Sequence, residues 1–282
     1  MFLKNSKSRS ISLFYFALLL CLLHKPAFSG DDGGLFGTTN FAFSNYLGTG
    51  FYTTSGHNVF VIQLPLDHTI IEKTDTDAGW LLNLPITIGL INFGDLQFEG
   101  LPDLNDVTTL TFVPGIEYQY PVTPDWTLIP FADYGFARDF NQTSNVLITG
   151  VGIKSYADFQ LNKSVLTLGN RFLYAREKSK DANDASDYLL IETGLSYQLN
   201  SEFSIGSHAV NTNLYYVNYY YPDSLIFFDR TPKPIIIGVA NEIGITFSNL
   251  PGFMFFDSHE IGLGVRISDD IKVYRLVFGA PF

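Results

Sequence analysis

The chain has 282 residues, a formal net charge of −11, 16% aromatic residues and 16% charged residues. The charged fraction lies well below the ~25% of ordinary soluble domains, and the acidic balance without basic clusters excludes a nucleic-acid binder. Beyond the first 29 residues no run of about 20 apolar residues occurs, which excludes a helical membrane protein.

The amino terminus reads as an export signal. Lys4, Lys7 and Arg9 precede an apolar run from Ile11 to Leu23, too short to span a bilayer comfortably. Ala27 and Ser29 supply the small residues of a cleavage site, so residues 1–29 are predicted to be removed before Gly30. The only cysteine, Cys21, falls inside that run, between leucines too large for a lipoprotein site. Removing residues 1–29 takes away four of the 17 Lys and Arg and no acid. The remaining 253 residues (282 − 29) then carry −15 (13 − 28). They hold no cysteine, which excludes disulfides, thiolate catalysis and cysteine-ligated metal.

Residues 30–39 are expected to be a short flexible segment, and 40–282 one domain of alternating strands. Two weak strands open it, 40–52 and 58–66. A loop is expected at 67–79. In 80–91, Trp80, Leu82, Leu84, Ile86, Ile88 and Leu90 form one face against Asn83, Pro85, Thr87 and Gly89. In 107–120, Leu110, Phe112, Ile116, Tyr118 and Tyr120 oppose Thr109, Thr111, Gly115, Glu117 and Gln119. The turn 121–125 leads into 126–137, where Trp126, Leu128, Pro130, Ala132, Tyr134 and Phe136 share a face. Ile129 and Phe131 blur the other. Further strands are expected at 146–156, 164–175, 188–199, 203–212, 235–247, 259–267 and 271–282.

Short turns are expected at 121–125, 158–163, 199–202 and 248–252. Longer loops are expected at 93–106, 138–145, 176–187 and 218–233. The loop at 67–79 is long for its side, and the connection at 268–270 is short.

Twelve alternating segments with sparse, mixed charges predict an all-β fold: a transmembrane antiparallel up-and-down β-barrel of about 12 strands. A soluble sandwich would carry a Lys- and Glu-rich outer face. In lipid every backbone group needs a partner within the protein, so the sheet must close. An even number puts both ends of the barrel chain on one side. Tyr118, Tyr120 and Trp126 suit an interfacial belt, and Tyr215, Tyr216, Tyr219, Tyr220 and Tyr221 are expected at the rim of an external loop.

The last strand places Tyr274, Leu276, Phe278, Ala280 and Phe282 on one apolar face. An edge strand of a soluble sandwich would also show that pattern. A terminal aromatic strand of this kind resembles the closing strand of outer-membrane barrels, the signal read by the barrel-assembly machinery.

By register the lumen is expected to hold the acids Glu117, Asp133, Glu192, Glu242 and Glu260. The bases there are Lys154, Arg171, Arg266 and Arg275. A strongly ion-selective pore would carry a one-sided ring. This near balance predicts paired side chains that narrow or fill the barrel. Asn170 and Asn241 interrupt otherwise apolar outer faces. A bulge, a position near the interface, or a protein contact within the membrane would account for them.

No catalytic, cofactor-binding or metal-binding residues are assigned. His57, His68, His208 and His259 form no His-x-Ser arrangement, and Ser207–His208 and Ser258–His259 point to opposite faces. A lipid hydrolase using His208 or His259 is one alternative function, and a small porin another. Asp181, Asp184 and Asp187 read as a solvated acidic loop, with a Ca²⁺ site as the alternative.

The stretch Val113-Pro-Gly-Ile-Glu117 through Trp126-Thr-Leu-Ile-Pro-Phe-Ala-Asp133-Tyr-Gly-Phe136 resembles the solitary autotransporter β-barrel family of proteobacteria. The resemblance covers most of 36–282. It implies an outer-membrane barrel of a Gram-negative bacterium, in contact with membrane lipid and lipopolysaccharide, inserted by the assembly machinery. Only Gly30 to about Asn40 precede the first expected strand, with no helical period. The resemblance therefore implies fold and location, not export of a passenger.

Overall fold

Alternation of bulky apolar residues with small or polar ones gives strands with two chemically different faces. The computed structural model describes residues 45–46, 48–54, 57–91, 107–140, 145–179, 185–205, 208–227, 235–250 and 260–282. All belong to the unit Phe36–Phe282. The expected signal segment 1–29, residues 30–39, Asp181, Asp184 and His259 lie outside the described residues.

The strands in chain order are β1 (Gly50–Thr54), β2 (His57–Leu64), β3 (Asp67–Ile71), β4 (Gly79–Asn83), β5 (Ile86–Ile91), β6 (Val107–Phe112), β7 (Gly115–Thr123) and β8 (Trp126–Asp139). They continue with β9 (Asn145–Leu161), β10 (Ser164–Ser179), β11 (Ala185–Ile205), β12 (His208–Phe227), β13 (Ile235–Ser248), β14 (Ile261–Ile267) and β15 (Ile271–Phe278). Three walls of the barrel are each built from two of these pieces: β2 with β3, β4 with β5, and β6 with β7. The remaining nine strands stand alone, so fifteen pieces make twelve barrel strands, each antiparallel to its neighbours. The ring closes where β15 pairs with β1, with Phe51 opposite Tyr274.

The three interruptions share one cause. Pro65, Pro85 and Pro114 each remove a ladder donor. The breaks lie side by side: Leu64 faces Ile86, and Ile86 faces Phe112. On the far side Asp67 faces Asn83, and Asn83 faces Gly115. The crease ends at Gly135, where a side chain would overlap the Phe112 carbonyl and Val113. Two backbone bonds still cross it, from Leu84 N to Leu66 O (2.7 Å) and from Tyr134 N to Pro114 O (2.9 Å).

Several boundaries differ from the sequence reading. Of the strand expected at 40–52, residues 40–44 and 47 lie outside the described residues, and the first strand among the described residues is Gly50–Thr54. The expected loop at 67–79 opens with strand β3, which leaves 72–78 between β3 and β4. The expected turn at 199–202 lies within β11, where the ladder to β12 shifts register between Leu199 and Phe203. β13 ends at Ser248 and β14 begins at Ile261, and residues 251–252 of the turn expected at 248–252 lie outside the described residues. β10, β11 and β12 extend into the loops expected at 176–187 and 218–233, reaching Ser179, starting at Ala185 and reaching Phe227; 180–184 and 228–233 lie outside the described residues. β11 and β12 reach 21 and 20 residues, about twice the ~9–11 needed to span a bilayer.

The faces are inverted relative to a soluble protein. Outward side chains are apolar and exposed: Ile243 is 67% exposed, and Tyr134 and Leu263 are each 63% exposed. Inward ones include the buried Glu117, Glu192, Glu242 and Arg266. The rings of Trp80 and Tyr118 meet at a tilt of 48° near one end, with centroids 4.7 Å apart.

Candidate functional site: the barrel interior

Two chain segments leave the wall and turn inward. Gly48 (φ 82°) precedes β1 and Gly279 (φ 79°) follows β15. Both adopt the left-handed conformation that glycine takes without steric cost. Tyr46, just before Gly48, reaches across the barrel and donates to Asp133 of β8 at 2.7 Å. Its phenol lies where a side chain on Gly150 would stand. Burial, with the adjacent carboxylate, raises the Tyr46 phenol well above its usual pKa, so it stays a neutral donor.

Beyond Gly279, Phe282 leaves the face expected for it. Tyr274, Leu276 and Phe278 follow the outward alternation of β15 and Ala280 is exposed, but β15 ends at Phe278 and Phe282 does not continue the pattern. Phe282 instead lies against β9, β10 and β11, on the opposite wall. Its ring sits on Gly169 and Gly194, which face each other across β10 and β11; a methyl group at either would overlap it. Tyr156 stacks on the ring (6.1 Å) and donates to the Phe282 backbone oxygen at 2.6 Å. Arg275 holds the Pro281 carbonyl at 3.1 Å.

The nine charged residues expected in the lumen meet inside the wall. Glu117 accepts from Lys154 at 2.6 Å and from Asn83 at 2.7 Å. Arg171 and Glu192, opposite each other on β10 and β11, form an ion pair. Glu242 is shared by Arg266 Nε (2.8 Å) and Arg275 (3.1 Å), with the Tyr215 and Tyr219 hydroxyls donating at 2.8 and 3.0 Å. The Arg266 guanidinium stands 3.7 Å over the Tyr219 ring, a cation–π contact. The four bases thus fall on three acids. The other two acids take neutral donors: Asp133 from Tyr46, and Glu260 from Thr246 and Asn213.

The tyrosines expected at a loop rim divide by strand alternation. Tyr215, Tyr219 and Tyr221 are buried inside, whereas Tyr216 and Tyr220 are exposed on the outer wall. Sequence reasoning missed the inward tyrosines and the Phe282 seat. The signal for the seat was present, since Gly169 and Gly194 occupy inward positions of their strands. A cavity of about 20 Å³ remains among Tyr52, Tyr221, Ile237, Arg266 and Val273, room for one water.

Among the described residues no three His, Cys, Asp or Glu side chains converge as a metal site. His68 is exposed on β3. The side chains of His57 and His208 lie outside the described residues. Asp187 is on β11 opposite Arg176.

The fold and interior define a class: a closed twelve-stranded antiparallel β-barrel, apolar outside and ion-paired within. No protein-family model and no curated protein matches the chain.

Proposed function

We propose that the chain is an exported outer-membrane β-barrel whose lumen is filled, with a structural or surface role rather than steady solute conduction. The inverted polarity of the wall carries this reading. Exposed Ile243, Leu263 and Tyr134 stand outside, and the Glu242–Arg266–Arg275 group stands within. An outer wall with this much exposed apolar surface suits lipid and is costly in water. The export signal read in residues 1–29 and the resemblance to solitary autotransporter barrels support the same location. Tyr46 and Phe282, both reaching across the interior, support closure.

The test is single-channel conductance of the refolded barrel in a planar bilayer, after heat-dependent gel mobility confirms folding. A folded but silent barrel is expected. Steady open conductance would replace this reading with that of a small porin.

A further inference from the structure

Asn170 and Asn241, the polar interruptions of the outer wall, belong to one row. Across adjacent strands Ser155 faces Asn170, Asn170 faces Thr193, Thr193 faces Asn218, and Asn218 faces Asn241. The row thus crosses β9 to β13 without a gap. Asn170, Thr193 and Asn241 are exposed on the wall, not turned inward. The strands offer no register shift here to explain them: the irregularities of β11 and β12 fall at Leu199–Phe203 and Tyr220–Leu225.

Two neighbouring pairs of the row are bonded, and Trp126 and Tyr216 add bonds at its two ends. Thr193 Oγ1 donates to Asn170 Oδ1 at 3.1 Å. Asn218 Nδ2 and the Tyr216 hydroxyl donate to Asn241 Oδ1 at 2.9 and 2.6 Å. Trp126 Nε1 donates to Ser155 at 2.9 Å. These bonds leave a remainder. Among the described residues nothing accepts from the Nδ2 groups of Asn170 and Asn241, and nothing donates to Asn218 Oδ1. Apolar side chains enclose the row on both sides: Phe172 and Leu195, for example, are 39% and 42% exposed, and Ile243 is 67% exposed.

An amide left unbonded in hydrocarbon costs on the order of a few kcal/mol. Burial against a partner that supplies the missing donors and acceptors removes that cost. The remainder is self-complementary, because spare donors and a spare acceptor sit on the same row. A second copy related by a two-fold axis brings both. Flanking Tyr216, Tyr220 and Phe172 add the aromatic surface typical of interface centres.

We infer that the outer wall of β10 to β13 is a self-association surface, and that two copies of this chain meet in the membrane across the row centred on Thr193. This inference rests on the membrane reading above. Polar contacts between membrane-embedded elements contribute about 1–2 kcal/mol at most, so replacing them is expected to weaken the dimer by about tenfold.

The test uses the full chain with Cys21→Ala, expressed in a Gram-negative host, with Leu195→Cys as reporter and a short bis-maleimide as probe. Leu195 is an outward position of β11 beside the row (42% exposed) and makes none of its polar bonds. Membranes are fractionated and folding is read from heat-dependent mobility. A cross-linked dimer is expected from Leu195→Cys. It is not expected from Ile116→Cys, an exposed outward position on β7 (41% exposed) away from the row. Adding Asn170→Leu and Asn241→Leu is expected to remove most of the dimer while the barrel stays folded. A folded outer-membrane barrel that stays monomeric with Leu195→Cys, or cross-links equally at Ile116→Cys, overturns the dimer alone. Absence of the chain from the outer-membrane fraction overturns the membrane reading and the dimer with it.

Discussion

Glu242 gathers four interior side chains, Arg266, Arg275, Tyr215 and Tyr219, around one carboxylate. It is 1% exposed and is the countercharge of two arginines from two different strands. Removing one member of a buried ionic group leaves the others uncompensated, at about 3–5 kcal/mol. Glu242→Gln keeps shape and much of the hydrogen bonding but removes the charge. A loss of stability of about that size is expected, read from the denaturant midpoint of the barrel in lipid vesicles. A loss below about 1 kcal/mol would mean water solvates the arginines well. Gly169 and Gly194 act differently, through absence of bulk: they leave the space the Phe282 ring fills.

At the scale of elements, one strand carries two chemistries. On β13, Glu242 points inward and Ile243, the next residue, outward. Ile243→Arg is expected to cost about 2–4 kcal/mol in a bilayer, the penalty for arginine on the lipid face near the midplane. A wall facing water would tolerate the same change to within about 0.5 kcal/mol. Vesicle unfolding midpoints separate the two. The proline crease marks another element-level division: β2 to β7 are short pieces joined at Pro65, Pro85 and Pro114, whereas β9 to β12 run unbroken for 16 to 21 residues. The wall therefore differs in height and continuity around the ring.

At the scale of the molecule, closure of the ring and filling of its interior are linked. The ladder between β1 and β15 brings Gly48 and Arg275 together, and Arg275 then holds Pro281 on the tail's path inward. Phe282 reaches β9 to β11 because the ring has closed and placed them opposite. Deleting Ala280–Phe282 removes this bridge. Conductance is expected in planar bilayers where the intact barrel is silent, with folding again checked by heat-dependent mobility. A silent deletion variant would show that Tyr46 and the ion pairs seal the interior without the tail.

Strand alternation alone was enough to identify an all-β chain and to divide most side chains between two faces. Every one of the nine charges assigned inward by register has its partner inside the wall, because a period of two leaves a side chain only two directions. Local sequence also marked Asn170 and Asn241 as out of place. It did not show that they are neighbours, since register between strands depends on pairings among residues 155 to 241. For the same reason Tyr215 and its neighbours read as a loop rim until β12 was seen to continue through them to Phe227. The position of Phe282 shows the limit most plainly. Its alternation with Phe278 predicted an outward face, but Gly279 reverses the chain, and the seat that receives the ring belongs to strands far away in sequence. Periodicity is a local property; which wall stands opposite exists only once the barrel has closed.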